Sequence, residues 1–518
     1  MSKVAKATIG LMIATILAKV LGFGRELVLA SSYGASMYSD AYITAMNIPL
    51  VIFATIGTTL ATVLIPMYFE VNNNLGEKEA LKFTNNVFNI VVIMCLILGI
   101  LGLVFTDEIV KVFAVGFKGE AFEVAVNFTR VTIVGIVFTG LSYLMTAYLQ
   151  INNNFAIPGM ASIPKNIIMI ASIILSVVYN PYIMIWGTLL GMAAEFLFQL
   201  PFAIKNGYKY SRYINIKDKY LKKMSWLIMP VLIGVAVNQI NTMVDRTLAS
   251  TLGEGSISAL NYANKLNGFV MALFIASIGS VIYPMLSKLS TENNKEKFTE
   301  SVVKSINSVI LLVVPISIGA IVLAIPIVRI LFERGEFDAR ATSMTAIALA
   351  MYSLGMLAFG LRDILGKVFY SIQDTKTPMI NGAIAMGMNI VLNIALVNII
   401  GLPGLPLATS ISATVCIFLL FINLKKKIGY FGQDKIIKTT LKSIVSAVVM
   451  GVVTYFGYNL LSNTLGTGFI KEAMALFGSI GIGALVYGIS VVILKVEEIN
   501  IIVGMIKSKL NKKNKSKI

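Results

Sequence analysis

Fourteen apolar runs follow one another along the chain, with short polar breaks between them. They cover residues 8–30, 39–68, 87–106, 125–150, 157–179, 182–204, 224–248, 257–287, 302–328, 342–372, 378–400, 403–424, 443–460 and 472–494. An apolar segment of about 18 residues or more is long enough to cross a bilayer as a helix. Only 13% of the residues are charged, against about a quarter in soluble proteins. The sequence therefore predicts an all-α polytopic membrane protein with about 14 transmembrane helices.

The basic residues are distributed unevenly between the breaks. With the N-terminus inside, the segments predicted to be cytoplasmic hold 28 Lys and Arg, and those on the opposite face hold 6. An excess of this kind sets the orientation of a membrane protein. The net charge of +18 is therefore explained by membrane topology, including the basic tail from Lys507 to Lys517, which would also suit contact with anionic membrane lipids. Nucleic acid is not expected as a partner.

Several kinds of chemistry have no residues to carry them. Histidine is absent, and the two cysteines, Cys95 and Cys416, lie in separate apolar runs. Zinc sites built on histidine, haem ligation and imidazole bases are therefore excluded, and a disulfide is not expected. No nucleotide-binding loop or nucleophile elbow occurs. The chain is not expected to be an enzyme or an ATP-driven pump.

Landmarks in the first half of the chain recur in the second half at a nearly constant offset. The pairs are Arg25 with Arg246, Tyr42 with Tyr262, Pro66 with Pro284, Gln150 with Gln373, and Asn166 with Asn389. Each copy contains six runs, so both copies start on the same side of the membrane. This predicts two six-helix lobes, 1–218 and 219–430, related by a parallel pseudo-two-fold axis with a cavity between them. Residues 431–518 would add two helices and the basic tail.

Several cations lie within the apolar runs, notably Lys19, Arg25, Arg246 and Lys265. A cation in hydrocarbon costs about 2.5–3.5 kcal/mol even on lenient insertion scales, so it normally lines a wet cavity or meets an anion. Arginine binds phosphate oxygens as a bidentate fork, and lysine binds them as a point charge. Cations from both halves therefore predict a cavity that receives a phosphate or pyrophosphate.

Acidic neighbours offer a second interpretation of the arginines. Glu26 follows Arg25 and Asp245 precedes Arg246, so both pairs would also serve as internal ion pairs that hold helices together. Asp40 opens the second run near the predicted outer face, where it is either a gate or an interfacial acid.

A second group of polar residues is largely uncharged. Asn389 and Asn393 are four residues apart and share a helix face, with Thr409 on the next run and Asp245 on the seventh. Carboxylate, amide, hydroxyl and backbone oxygens suit a hard cation. Hydrogen bonding between helices is the alternative, and the spacing by itself favours it.

Three segments carry a resemblance to a known family. They are KVLGFGRELVLASSYGASMYSDAY from Lys19, LFERGEFDARAT at 331–342, and DTKTPMINGAIAMGMNIVLNIAL followed by GLPGLPLATSIS. The chain resembles the MurJ (MviN) lipid II flippases of the multidrug/oligosaccharidyl-lipid/polysaccharide exporter superfamily, over essentially its whole length. The resemblance implies flipping of undecaprenyl-pyrophosphate-linked disaccharide-pentapeptide, lipid II, to the outer leaflet of the bacterial cytoplasmic membrane for peptidoglycan synthesis, with both termini cytoplasmic and the cell-wall synthesis machinery as a further partner.

The resemblance also implies roles for individual residues. Lys19, Arg25 and Lys265 match the family's cavity cations, and Glu26 and Asp40 match its acidic positions. No cofactor is expected other than a sodium ion. Its family ligands match Asp245, Asn389, Asn393, the backbone of Leu405, and Thr409.

Two departures from the family pattern matter. Residues 50–54 contain no base, and the stretch after Lys265 reads Leu-Asn-Gly without an acid. The anion site is therefore expected to depend more on Arg25, Arg246 and Lys265.

The expected mechanism is alternating access with pyrophosphate held by the cavity cations. The alternatives are a flippase for another polyprenyl-linked glycan, a cation-coupled drug exporter, or a membrane-bound glycosyltransferase or polymerase acting through Glu333, Glu336 and Asp338.

Overall fold

The computed structural model describes residues 3–292 and 294–498, and within them it is built from helices. The helices are α1 (Lys3–Tyr33), α2 (Met37–Leu75), α3 (Glu77–Val104), α4 (Thr106–Phe113), α5 (Glu120–Ile151), α6 (Ala156–Met160), α7 (Ser162–Val178), α8 (Tyr182–Lys205), α9 (Lys219–Ser250), α10 (Ser256–Val270), α11 (Ala276–Thr291), α12 (Lys295–Val322), α13 (Ala324–Phe332), α14 (Ala339–Leu354), α15 (Met356–Ser371), α16 (Lys376–Ile400), α17 (Gly404–Ile428), α18 (Gln433–Leu465) and α19 (Phe469–Ile493). The all-α prediction is confirmed. The tail from Lys507 to Lys517 lies outside the described residues.

Ten helical segments in the described part are long and apolar enough to cross a membrane, or 11 if the bent pair α14 and α15 counts as one span. The chain is therefore a multi-pass membrane protein. Helices α1, α2 and α9 carry the first, second and seventh predicted runs. The total of 14 spans stays a prediction.

The chain divides into two compact units. One consists of Met1–Ser258 with Arg334–Asp338, and the other of Ala259–Glu333 with Ala339–Ile518. Helix α9 thus belongs to the first unit. The sequence boundaries at 218 and 430 stay a prediction about the duplicated halves.

The core of the first unit packs α2 and α3 against α5. Phe53, Cys95 and Ile133 are buried there. A Cβ on Gly140 would lie 2.8 Å from the Cys95 sulfur and 2.9 Å from the Phe53 ring. Because lipid is as apolar as the side chains, close approach at small residues is what holds such helices together.

The core of the second unit packs α12 against α15 and α18. Two helices in this unit are interrupted. A π-helical turn at Met271–Ile275 separates α10 from α11, and α14 and α15 bend by 44° at Gly355. A Cβ on Gly355 would lie 2.6 Å from the Cα of Ser410, so only glycine permits this contact. These interruptions lie inside the eighth and tenth predicted runs, where sequence periodicity alone shows no break.

Two loops at equivalent positions of the sequence repeat share one backbone conformation. Asn153 and Gln373 have positive φ angles of 57° and 60°, which are uncommon for residues other than glycine. In both loops the next residue caps the following helix: Asn154 accepts from the amide of Ile157, and Asp374 accepts from that of Thr377. Both loops therefore connect two helices with the same backbone geometry.

Candidate functional site

Arg25 lies where α1 packs against α7 in the first unit. Its Nη2 donates to Glu26 Oε1 at 2.6 Å, and its Nη1 lies 3.5 Å from Asn166 Oδ1 and 3.6 Å from the Met169 sulfur. The two charged side chains are 14% and 5% exposed. Asn166 is oriented by its own amide nitrogen, which donates to the Ser162 carbonyl at 2.8 Å.

The Arg25 cluster, which consists of Arg25, Glu26 and Asn166, therefore contains the ion pair expected from the adjacent charges. It joins α1 to α7, as the structural interpretation of the pair requires. A guanidinium has five N–H donors, so Arg25 has the capacity to bind an anion in addition to Glu26. Its role in substrate binding stays a prediction.

The other predicted cations occupy different positions. Lys19 is exposed on α1, two turns before Arg25. Asp245 and Arg246 on α9 are partly buried, and each interacts with neighbouring groups. Lys265 is exposed on α10 in the second unit, and it too has a partner. The structure brings Arg25 and Glu26 together, and a convergence of all four cations stays a prediction.

Asp40 is buried at the start of α2 and binds the start of α10. Its Oδ2 accepts from the Gly255 amide at 2.8 Å, and its Oδ1 accepts from the Ser258 amide at 2.7 Å. The contact is reciprocal: Glu254 Oε1 accepts a hydrogen bond from the Met37 amide at 2.8 Å. A carboxylate at a helix N-terminus satisfies amides that lack intrahelical partners and complements the helix dipole. Each of the two helix starts is therefore capped by an acid from the other segment.

The turn between α1 and α2 also holds the loop that follows α13. The Glu336 amide donates to the Ser31 carbonyl at 3.0 Å. Gly34 and Gly335 both have φ near +59°, and a Cβ on either would lie 2.3 Å or less from a carbonyl oxygen of the other segment. We call residues 31–40, residues 251–258 and residues 334–338 the turn cluster. It contains Asp40, which sequence analysis predicted as a gate or an interfacial acid.

The predicted cation ligands on α16 and α17 form an amide cluster in the second unit. Asn393 Nδ2 donates to Asn389 Oδ1 at 3.0 Å, and Asn389 Nδ2 donates to Thr409 Oγ1 at 3.3 Å. Thr409 in turn donates to the Leu405 carbonyl at 3.0 Å. Both asparagines and Leu405 are buried. Asp245 belongs to the first unit.

These contacts are the hydrogen bonds between helices that sequence analysis gave as the alternative to a cation site. Its donor set nevertheless fits sodium chemically, because it offers neutral oxygen atoms from amides, a hydroxyl and a carbonyl. No group of three or more acidic or cysteine side chains suited to a metal occurs among the described residues. A cation site here would depend mainly on neutral ligands.

Sequence analysis missed a polar network on α5, α7 and α8. Lys165 pairs with Glu195 at 2.8 Å, one turn from Gln199. Gln199 is fully buried; its Nε2 donates to Ser142 Oγ at 2.7 Å, and its Oε1 accepts from Thr146 Oγ1 at 2.8 Å. The spacing of Glu195 and Gln199, four residues apart on one apolar run, was the available signal.

Comparison with known proteins shows which family the chain belongs to. The family model described as "Lipid II flippase MurJ" matches residues 29–476. The chain belongs to the MurJ family. A probable lipid II flippase MurJ from Vibrio cholerae is 31% identical over 91% of this chain and 93% of its own length. The lipid II flippase MurJ from Burkholderia cenocepacia is 30% identical over 84% of this chain and 86% of its own.

Solved structures agree with the MurJ assignment. A lipid II flippase MurJ in an inward closed conformation is similar with a TM-score of 0.79 and 29% identity, over 94% of this chain and 98% of that one. An inward-facing multidrug transporter of the MATE family has a TM-score of 0.64 at 15% identity, which shows the shared fold alone. The chain is thus a transporter and not an enzyme, and the resemblance noted in the sequence is confirmed. The polymerase alternative is set aside.

Proposed function

We propose that this chain flips lipid II, the undecaprenyl-pyrophosphate-linked peptidoglycan precursor, from the inner to the outer leaflet of the bacterial cytoplasmic membrane. Membership of the MurJ family supports the substrate. The observation that carries the chemistry is the guanidinium of Arg25, which is largely buried between two helices of a membrane transporter.

The pyrophosphate is held by Arg25, with Lys19, Arg246 and Lys265 as further cations. Glu26 compensates the charge of Arg25 at 2.6 Å. An incoming diphosphate competes with Glu26 for a charge that is already desolvated, so less of its binding energy is spent on removing water. The disaccharide-pentapeptide occupies the aqueous cavity and the polyprenyl chain stays in lipid.

Transport proceeds by alternating access, and the turn cluster closes the outer face. Opening breaks the two hydrogen bonds of Asp40, the bond from Met37 to Glu254 and the bond from Glu336 to Ser31. Net hydrogen bonds contribute about 0.5–1.5 kcal/mol each, and those to charged groups about 1.5–3 kcal/mol. The substrate must therefore bind the open state several kcal/mol more tightly than the closed one to shift the equilibrium.

Sodium is the proposed coupling ion, held by Asn389, Asn393, Thr409, the Leu405 carbonyl and Asp245. When bound, the ion would supply a positive charge to a cluster that is otherwise neutral apart from Asp245. The residues themselves fix the spacing of α16 and α17, since Asn389 hydrogen-bonds to Thr409 across the two helices.

The membrane potential also favours this direction. Moving one negative charge outward across an inside-negative membrane is downhill by about 2.3 kcal/mol per 100 mV. Both termini face the cytoplasm, as the distribution of basic residues indicates. Membrane lipids and the cell-wall synthesis machinery are the proposed further partners.

Reconstitution tests the substrate. The purified protein is placed in vesicles that carry lipid II in the inner leaflet, and the appearance of the disaccharide-pentapeptide at the outer surface is followed with an impermeant glycan-modifying enzyme. We expect transport of lipid II and little transport of another polyprenyl-linked glycan. Transport of a teichoic acid or capsule precursor in preference to lipid II would contradict the assignment, as would accumulation of that precursor in cells depleted of the protein.

A further inference from the structure

Three asparagines of α3 fix the linker between α8 and α9. Asn86 binds Asn215 in both directions, with its Nδ2 2.9 Å from the carbonyl oxygen and its Oδ1 2.7 Å from the amide nitrogen. Asn85 Oδ1 accepts from the Ser211 amide at 3.0 Å, and Asn89 Nδ2 donates to the Ser211 carbonyl at 2.9 Å. All three asparagines are buried. This asparagine ladder holds an otherwise irregular linker in one position along the first turns of α3.

The linker then presents two isoleucines beside an open pocket of about 590 Å³. Ile214 and Ile216 line it together with Ile90 of α3 and with Lys222 and Trp226 at the start of α9. Ile216 is 77% exposed and Trp226 is 73% exposed. Ligand pockets typically have volumes of about 300–1,000 Å³ and combine an apolar lining with a few polar groups. Because the ladder fixes the linker, these apolar side chains are held in place.

The pocket lies where an apolar span meets basic polar chain. Residues 205–223 contain seven Lys and Arg but one acid, Asp218. The Asp218 carboxylate is engaged at the N-terminus of α9, where it accepts from the amides of Tyr220 and Leu221. Tryptophan is enriched at the boundary between lipid and water. The surroundings of Lys222 are therefore positive on the polar side and apolar on the membrane side.

We propose that this pocket binds an anionic glycerophospholipid of the surrounding membrane. One acyl chain lies against Ile90, Ile216 and Trp226, and the phosphate lies beside Lys222. An acyl chain matches the apolar lining, and a phosphodiester matches the local excess of basic residues, each of which contributes attraction to an anionic surface. The bound lipid would anchor the connection between α8 and α9 to the membrane surface, a role separate from the transported substrate.

Tryptophan fluorescence can report on the occupant, because the chain has two tryptophans. The W186F variant of the full chain leaves Trp226 as the emitter. It is reconstituted in phosphatidylcholine vesicles that contain a minor fraction of brominated phosphatidylglycerol or, separately, brominated phosphatidylcholine. We expect several-fold stronger quenching by the anionic lipid. Removing Lys222 in W186F/K222Q should lower the apparent affinity for it about fivefold, the equivalent of about 1 kcal/mol for one basic residue near an anionic surface.

Matched controls separate the pocket from ordinary contact with lipid. K78Q removes an exposed lysine near the start of α3 that does not line the pocket, and it should leave the preference unchanged. W226F moves the emission to Trp186, which is 55% exposed on α8, and should show equal quenching by both lipids. Equal quenching of Trp226 by the two brominated lipids would overturn the proposal. Displacement of the brominated lipid by undecaprenyl phosphate at lower concentration than by phosphatidylglycerol would also overturn it, in favour of a polyprenyl ligand.

Discussion

Two asparagines that the internal repeat relates, Asn166 and Asn389, lie in different electrostatic surroundings. Asn166 on α7 faces the ion pair of Arg25 and Glu26. Asn389 on α16 binds two neutral partners, Asn393 and Thr409. Each half thus has an amide at a helix interface, but the neighbouring residues differ. The proposed division of tasks follows from this, with an anion recognised by the charged cluster and a cation by the neutral one.

Replacing Arg25 should have the largest effect, because it removes the cation of the Arg25 cluster. The R25A variant should fail to complement a strain depleted of its lipid II flippase, because the diphosphate loses its bidentate partner. R130A is the matched control, since Arg130 forms a surface pair with Asp107 at 3.0 Å with both side chains about half exposed. It should complement fully. Full complementation by R25A at normal membrane levels would refute the anion site.

Removing the charge of Glu26 measures how much the stability of the Arg25 cluster depends on its ion pair. Breaking a buried ion pair by deleting one partner typically costs about 3–5 kcal/mol, so E26Q should lower the thermal unfolding temperature of the purified protein markedly. Added lipid II should recover more stability in E26Q than in the unmodified chain, because its diphosphate replaces the lost charge.

The Lys165–Glu195 pair provides the comparison, since its side chains are 25% and 22% exposed. E195Q should lower the unfolding temperature less than E26Q, because water reaches the Lys165–Glu195 pair more readily. An equal loss in the two variants would mean that Arg25 is no more desolvated than a partly exposed lysine.

Sodium should stabilise the protein by binding at the amide cluster. Exchanging choline chloride for sodium chloride should stabilise the unmodified protein, by about 2.7 kcal/mol when sodium is at a hundred times its dissociation constant. N393L should lose this response. N398L, at an exposed position of the same helix where the amide binds the Ile394 carbonyl, should keep it. A sodium response that survives in N393L would break the proposed division between the halves.

The smallest expected effect concerns the two related loops. Burial would raise the pKa of Asp374, but the ammonium of Lys427 at 2.5 Å and the Thr377 amide outweigh it and lower the pKa to about 2. A carboxyl with a depressed pKa contributes stability above its unfolded pKa and loses it as the pH falls through the folded value. D374N should therefore cost up to about 1 kcal/mol at pH 7, and the difference from the unmodified chain should shrink towards pH 3.

The corresponding change in the other loop is the control. Asn154 holds the cap position in the first loop that Asp374 holds in the second. Counted from the helix ends, Ile204 of α8 takes the place of Lys427 of α17. N154D should thus gain no equivalent ion pair and change stability little in thermal unfolding experiments. If N154D gains as much stability as D374N loses, the helix cap and not the ion pair with Lys427 is responsible for the stability of the Asp374 loop.

The sequence predicted the helices better than the contacts between them. Apolar runs located the spans because lipid selects composition over long windows. The same runs could not reveal the bend at Gly355, which depends on the approach of Ser410 from another helix. Arg25 and Glu26 were identified from their cost in a membrane, whereas Asn166 was noted only as a landmark of the repeat. Its contact with Arg25 joins residues 141 apart in the chain.

Asp40 illustrates a second limit of sequence reasoning. A carboxylate near the start of a run indicates an interface or a gate, but its partners are backbone amides from a distant part of the chain. Every residue type except proline supplies such amides, so no side-chain pattern marks them. The asparagine ladder was in principle detectable, because Asn85, Asn86 and Asn89 share one helix that opens an apolar run.

The ladder has a consequence for biogenesis. Its hydrogen bonds join residues 122 to 129 positions apart, so α3 emerges from the ribosome well before the linker exists. At roughly 5–20 residues per second, the delay is on the order of ten seconds. Amides left without partners in hydrocarbon are costly, so during that interval the start of α3 must remain hydrated. Completion of the linker would then release this water and commit the first half of the protein to its final depth.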